Sequence, residues 1–203
     1  MLNQFFGKTF RFTLIGHSLL FVLAALVFQT SFSGILLLFL MLSVFSIALW
    51  RLDFAIYIAF AELFANSHGH LLSIELFSFS LSLRMGIFLA IISAWFLLYV
   101  SRRVSLSFND QRLKPGLLLF LAVLFGFLFG VAQRSALDVF QDGNAYFYLL
   151  YLLPILSISW TSIRKKQLLQ VLIGSSFWVV LLTLGLLYIF THFPEWSLGS
   201  VYT

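Results

Sequence analysis

The chain is expected to fold as an all-α, polytopic transmembrane bundle of about seven helices with a cytoplasmic N-terminus. Composition is the first reason: of 203 residues, 62% are hydrophobic and only 9% charged, whereas a soluble domain is about one quarter charged. The second is a run from Phe12 to Trp50 with no Asp, Glu, Lys or Arg. The third is the uneven placement of the basic residues along the chain. Twenty-six Phe and no long polar segment exclude a water-filled fold, an extended disordered tail and a rod. The absence of Cys excludes a disulfide framework, a Cys zinc site and an iron–sulfur cluster.

The elements follow from length. One helix over Phe12–Trp50 would reach roughly 58 Å, about twice the hydrocarbon core, so the run must turn. Gln29-Thr30-Ser31-Phe32-Ser33-Gly34 is the polar, glycine-bearing stretch available for that turn. The first two spans are therefore 12–28 and 35–50. Further apolar runs predict spans at 52–66, 85–100, 117–132, 145–160 and 168–190. The third is short and is expected to tilt or to sit in locally thinned bilayer. The runs are too long, and alternate too little, for barrel strands. The first is also longer than a signal-peptide core, so an uncleaved anchor is expected.

With seven spans and the N-terminus inside, Lys8, Arg11, Arg51, Arg102, Arg103, Arg112, Lys114, Arg164, Lys165 and Lys166 share the cytoplasmic side. Arg84 and Arg134 alone fall outside. That bias sets the orientation. It also turns a pI near 9.7 from a hint of nucleic acid into topological anchors and contacts for anionic headgroups. The expected partner is the bilayer, with no nucleic acid.

Polar chemistry collects on the outer side. Phe77, Phe79, Leu81 and Leu83 alternate with Ser78, Ser80, Ser82 and Arg84, a period of two that predicts extended chain. It either lies in the headgroup zone or walls a groove beside Arg84. His68 and His70 have too few companions for a metal site and are expected to be interfacial. His17 is expected to hydrogen-bond between helices. Glu62, an intramembrane carboxylate, needs a cation, and Arg84 and Arg134 are its natural partners. An outer arginine left over could hold a phosphate or diphosphate.

Asp142 is expected to cap the sixth span. Tyr146, Tyr148 and Tyr151 would form an aromatic belt. Capping does not explain why Arg134, Asp138 and Asp142 share so short a loop. Gly126 and Gly130 form a GxxxG pattern that allows close helix approach, and Pro154 should kink the sixth span. No Walker loop, dinucleotide fingerprint, zincin or serine-hydrolase motif occurs, so no metal and no cofactor are expected.

Gly130-Val131-Ala132-Gln133-Arg134, then Asp142-Gly143-Asn144-Ala145 and Leu152-Leu153-Pro154, together with Phe79-Ser80-Leu81-Ser82-Leu83-Arg84, resemble the amino-terminal half of the O-antigen ligase and polymerase family. The resemblance implies a glycosyltransferase of the bacterial inner membrane, free of metal and nucleotide sugar. Its substrate would be a polyprenyl-diphosphate-linked glycan. Arg84, Arg134, Asp138, Asp142 and Asn144 would then line a diphosphate groove, the arginines neutralising the leaving group. The family's catalytic outer loop lies in its later half, and His192 does not match that motif. The expectation is an amino-terminal portion or one half of a split protein, inactive alone. The alternative is a non-enzymatic membrane subunit or scaffold; a small-solute or lipid transporter is a third reading.

Overall fold

A computed structural model describes residues 5–27, 30, 32–65, 72–76, 79–106 and 113–192. The elements in order are α1 (Lys8–Val27), α2 (Phe32–Trp50), α3 (Leu52–Ala65), β1 (Ser73–Leu76), β2 (Phe79–Ser82), α4 (Leu83–Val100), α5 (Leu113–Gln133), α6 (Ala136–Gly143), a 3₁₀ helix (Asn144–Tyr151), α7 (Leu152–Leu156) and α8 (Ser162–His192). Among the described residues the fold is helical apart from one hairpin, and five helices are long and apolar enough to cross a membrane: α1, α2, α4, α5 and α8.

Two expected spans differ. The stretch 52–66 becomes α3, whose 14 residues reach about 21 Å at 1.5 Å per residue, well short of the hydrocarbon core. The stretch 145–160 is not one α-helix; it divides into the 3₁₀ helix and five-residue α7, then turns at Ser157. Pro154 explains the division. Having no N–H, it cannot bond the carbonyl four residues back, so it is tolerated in a helix's first turn. α7 begins two residues before it, and the aromatic run ahead winds as a tighter helix instead.

The chain packs as two compact units. Unit 1 comprises Met1–Leu36, Tyr57–Leu83 and Trp160–Thr203. Its centre is a parallel pair, α1 on α8. Gly7 lies against Gln170, Phe10 and Thr13 against Gly174, and His17 against Ser175 and Trp178. Gly174 makes the approach possible: a Cβ there would stand 3.1 Å from Thr13 Cβ and 3.3 Å from the Phe10 carbonyl oxygen. Phe10 also meets Phe177, with ring centroids 6.0 Å apart.

Tyr57 joins α3 to the start of α8, its hydroxyl donating to the Arg164 carbonyl at 3.1 Å. At the other end of α1, Thr30 closes the turn into α2. Its hydroxyl donates to the Val27 carbonyl at 2.7 Å and accepts the Phe32 N–H at 3.3 Å. The turn therefore falls where the sequence predicted it. Gly34, just beyond, faces Ile74 of β1. Tyr57 thus stands near one end of the α1–α8 pair and Ile74 near the other.

β1 and β2 pair antiparallel, with Ile74 opposite Leu81 and Ser73 opposite Ser82. The Leu83 N–H extends the ladder to the Leu72 carbonyl at 3.1 Å. Leu72, Leu81 and Leu83 are buried while Ser80 is exposed. The predicted alternation is therefore real over 80–83. Phe77 and Ser78 lie outside the described residues.

Unit 2 comprises Leu37–Ile56 and Arg84–Ser159. The 3₁₀ helix and α7 run between α4 and α5. Phe88 packs on Tyr148 and Tyr151, and Trp95 Nε1 donates to Ser157 Oγ at 2.9 Å, so this segment is parallel to α4. Along α5 the order reverses: Val139 meets Gly130, Phe147 meets Phe127, and Leu152 meets Gly116. A 3₁₀ helix rises about 2.0 Å per residue against 1.5 Å, which lets so few residues accompany α5 for most of its length. Of the GxxxG pair, Gly130 is in use, but Gly126 faces open space.

α4 ends in a Schellman turn. Arg102 adopts φ 59°, Arg103 N–H bonds the Leu98 carbonyl at 2.9 Å, and Arg102 N–H bonds that of Tyr99 at 3.0 Å. An arginine stands where glycine would carry no steric cost. α6 begins with a cap the sequence reading missed: Ser135 Oγ accepts the Asp138 N–H at 3.2 Å. Ser135→Ala is expected to cost about 0.5–2 kcal/mol and to speed amide exchange in α6 while leaving α5 unchanged; equal exchange in wild type and variant would refute the cap.

Candidate functional site

The sequence-predicted site residues divide between the units. Glu62 belongs to unit 1; Arg84, Arg134, Asp138, Asp142 and Asn144 belong to unit 2. Glu62 is 6% exposed, and it has partners within the fold. Arg84 is half-buried in the first turn of α4 and likewise engaged. Arg134 follows the last turn of α5, its N–H still bonded to the Gly130 carbonyl at 2.9 Å, with its side chain exposed.

Packing brings the two arginines to one end of unit 2. Arg84 lies one turn before Phe88, which holds Tyr148 and Tyr151. Arg134 lies one turn after Gly130, which holds Val139. The 3₁₀ helix links them, with Phe147 packed on both Phe127 and Phe140. Asp138 is exposed in the first turn of α6, directly after Arg134. There it favours the helix dipole, and it competes with any anion drawn to the same amides.

Asp142 does not cap the next element. It lies inside the last turn of α6, and Gly143 is the residue ahead of the 3₁₀ helix, with no side-chain cap. The cap prediction failed because α6 itself was not foreseen. The side chains of Asp142 and Asn144 lie outside the described residues. The tyrosines divide as well: Tyr146 is exposed, while Tyr151 is buried against Phe88.

The histidines behave structurally. His17 Nε2 stands 3.0 Å from Ser175 Oγ, buried, with its ring stacked near Trp178 at 6.2 Å. The helix–helix bond expected of it is made. His192 Nδ1 donates to the Tyr188 carbonyl at 3.0 Å and stacks on that ring at 4.2 Å. His68 and His70 lie outside the described residues. Among the described residues no group of three or more His, Cys, Asp or Glu could hold a metal.

One half-buried ion pair went unforeseen. Asp53, 3% exposed in the first turn of α3, accepts from Arg51 Nε at 2.9 Å and Nη2 at 2.8 Å, and the guanidinium also covers Phe54 at 4.3 Å. The signal was available: an Arg and an Asp two apart at a helix start amid apolar residues.

The fold and its site define a polytopic helical protein with apolar surfaces suited to lipid. No family model matches the chain, and no curated protein or solved structure matches it.

Proposed function

We propose that the chain crosses the bacterial inner membrane seven times from a cytoplasmic N-terminus, and acts with the later half, or a partner subunit, of an O-antigen ligase- or polymerase-like enzyme. On this reading the Arg84–Arg134 end of unit 2 receives the diphosphate of a polyprenyl-linked glycan. The seven-fold path is supported by the course of 144–157 alongside α4 and α5 in unit 2; α3, at 14 residues, would cross only with tilt or locally thinned bilayer. Orientation rests on the positive-inside bias. The observation that carries the functional reading is two arginines at one end, one of them exposed, in a family-like sequence setting. Guanidinium groups take phosphate oxygens through paired donors and keep their charge.

Unit 2 contains neither His nor Glu; its carboxylates are aspartates, and Asp138 is exposed four residues after Arg134, so any proton transfer there falls to an aspartate. Arg84, engaged within the fold, favours the second reading, a non-enzymatic subunit in which the arginines are structural.

The test is glycan transfer in cells carrying the complete locus. Arg134→Ala is expected to lower transfer by about 10²-fold, the usual effect of removing one donor to developing charge, with unchanged membrane abundance. Arg134→Lys should retain part of the activity. Normal transfer in Arg134→Ala, or a loss that tracks abundance alone, would leave the subunit reading in its place.

A further inference from the structure

The α1–α8 contact in unit 1 holds one donor more than it satisfies. His17 is 5% exposed and Ser175 0%, and His17 Nε2 stands 3.0 Å from Ser175 Oγ. Trp178, three residues further along the same face of α8, lies beside the same imidazole, with ring centroids 6.2 Å apart and planes 12° from parallel. Its Nε1–H is fully enclosed, and among the described residues it has no hydrogen-bond partner. A buried N–H left unbonded is costly, and more so where no water can reach it. One imidazole nitrogen cannot accept from both Ser175 and Trp178.

Ser175 has another acceptor at hand. Thr13, Ser18, Ser43, Ser46, Ser157 and Thr191 all donate to the carbonyl four residues back, at 2.8–3.0 Å. The Val171 carbonyl offers Ser175 the same bond. α1 also repeats itself at four residues: Phe6 and Phe10, Thr9 and Thr13, and the rings of His17 and Phe21 stand one turn apart on one face. Phe10 meets Phe177, Thr13 meets Gly174, and Phe21 meets Trp178 at 6.0 Å. If α1 advances four residues along α8, roughly 6 Å at 1.5 Å per residue, Phe6, Thr9 and His17 take those three places. His17 then stands against Trp178, with Thr13 opposite Ser175.

We propose that α1 is a two-position helix: a one-turn ratchet along α8 exchanges the His17–Ser175 bond for a His17–Trp178 bond. One-turn steps of one element past another are an established form of bistable packing. Gly174 keeps a threonine over it in both positions. The observed position is the major one, because Ala24 is wholly buried and the larger Leu20 stands at its level after the step. The step also draws Lys8 and Arg11, exposed at the start of α1, one turn toward the hydrocarbon. Anionic headgroups that hold them therefore favour the observed position. This inference is independent of the glycan reading, which concerns unit 2.

The experiment is disulfide trapping of the full chain in membranes. The chain has no Cys, so an engineered pair supplies its only thiols. Thr13→Cys/Gly174→Cys reports the observed position, since a Cβ at 174 lies 3.1 Å from Thr13 Cβ, close to the span a disulfide bridges. Thr9→Cys/Gly174→Cys reports the second position, because residue 9 otherwise stands a turn away. Both pairs are expected to oxidise, the second more slowly. Trp178→Phe keeps a ring but removes the N–H, and should slow oxidation of the Thr9 pair about tenfold. Ser175→Ala removes the bond that holds the observed position, and should speed the same pair by a similar factor. If cysteine at 174 disturbs the helices, Phe6→Cys/Phe177→Cys and Phe10→Cys/Phe177→Cys, bridged by a short bifunctional thiol reagent, make the same comparison. A second-position pair that stays reduced while the first oxidises, or one whose rate ignores Trp178→Phe, would overturn the proposal.

Discussion

Arg51→Leu is expected to destabilise the protein by about 1–3 kcal/mol, and the double variant Arg51→Leu/Asp53→Leu to cost less than Arg51→Leu alone. The reason is asymmetry of burial. The Asp53 side chain is 3% exposed and that of Arg51 is 40% exposed, so removing the arginine leaves the more costly charge behind. Stripping one partner from a fully buried pair costs about 3–5 kcal/mol; solvent reaching Arg51 screens part of that, which sets the lower range. The two-pronged contact, at 2.8 and 2.9 Å, adds geometry that a lysine could not reproduce. Replacing both residues removes the stranded charge, so the penalties must not add. Thermal unfolding of the purified variants measures this. A silent Arg51→Leu, or a double variant worse than the sum of the singles, would contradict the account.

Gly174→Leu is expected to push α1 off α8 at a cost of about 1–3 kcal/mol, although replacing a helical glycine gains up to about 1 kcal/mol by itself. Two contacts decide the sign. A Cβ at 174 meets Thr13 Cβ at 3.1 Å, which could adjust, and the Phe10 carbonyl at 3.3 Å, which is backbone and could not without moving α1. The neighbouring His17–Ser175 bond, at 3.0 Å, would lengthen with the separation. Gly185 is the control: no atom lies within 4 Å of its built Cβ, so Gly185→Ala should be neutral or stabilising. Tm values of the two variants should therefore shift in opposite directions. A tolerated Gly174→Leu would mean that α1 and α8 do not depend on this close approach.

Much of the fold was legible because its signals are local. The break at Thr30, the extended stretch at 79–83 and His17 as an interhelical residue all follow from composition over a few residues. The division of 145–160 was half legible: Pro154 was noted, but a kink was expected and a change of helix type occurred. Nothing in the hydropathy of Asn144–Tyr151 distinguishes a 3₁₀ helix from an α-helix, since every residue after Asn144 is apolar or aromatic and no face stands out at either period. α6 was invisible for a related reason, because eight residues of mixed polarity after a span look like a loop until Ser135 caps them.

The candidate site divides in the same way. Arg84 and Arg134 stand out in the sequence because the positive-inside reading sets them apart from the other ten basic residues. Arg51–Asp53 did not stand out, because burial of a charge depends on what packs over it. Ser175 and Gln170 were likewise silent, since their roles depend on which face of α8 meets α1.

By itself, then, the sequence determined the apolar, helical membrane class and the turn after α1. Each depends on free energies of transfer and on backbone preferences that single residues carry wherever they sit. Only the tertiary structure decided that α1 and α8 run parallel, that the 3₁₀–α7 segment threads between α4 and α5, and that Arg84 and Arg134 come to one end of unit 2. Those outcomes rest on complementary shape between distant segments, such as Gly174 beneath Phe10 and Gly116 beneath Leu152. In lipid, where apolar surface gains little by leaving the solvent, close packing chooses the partners.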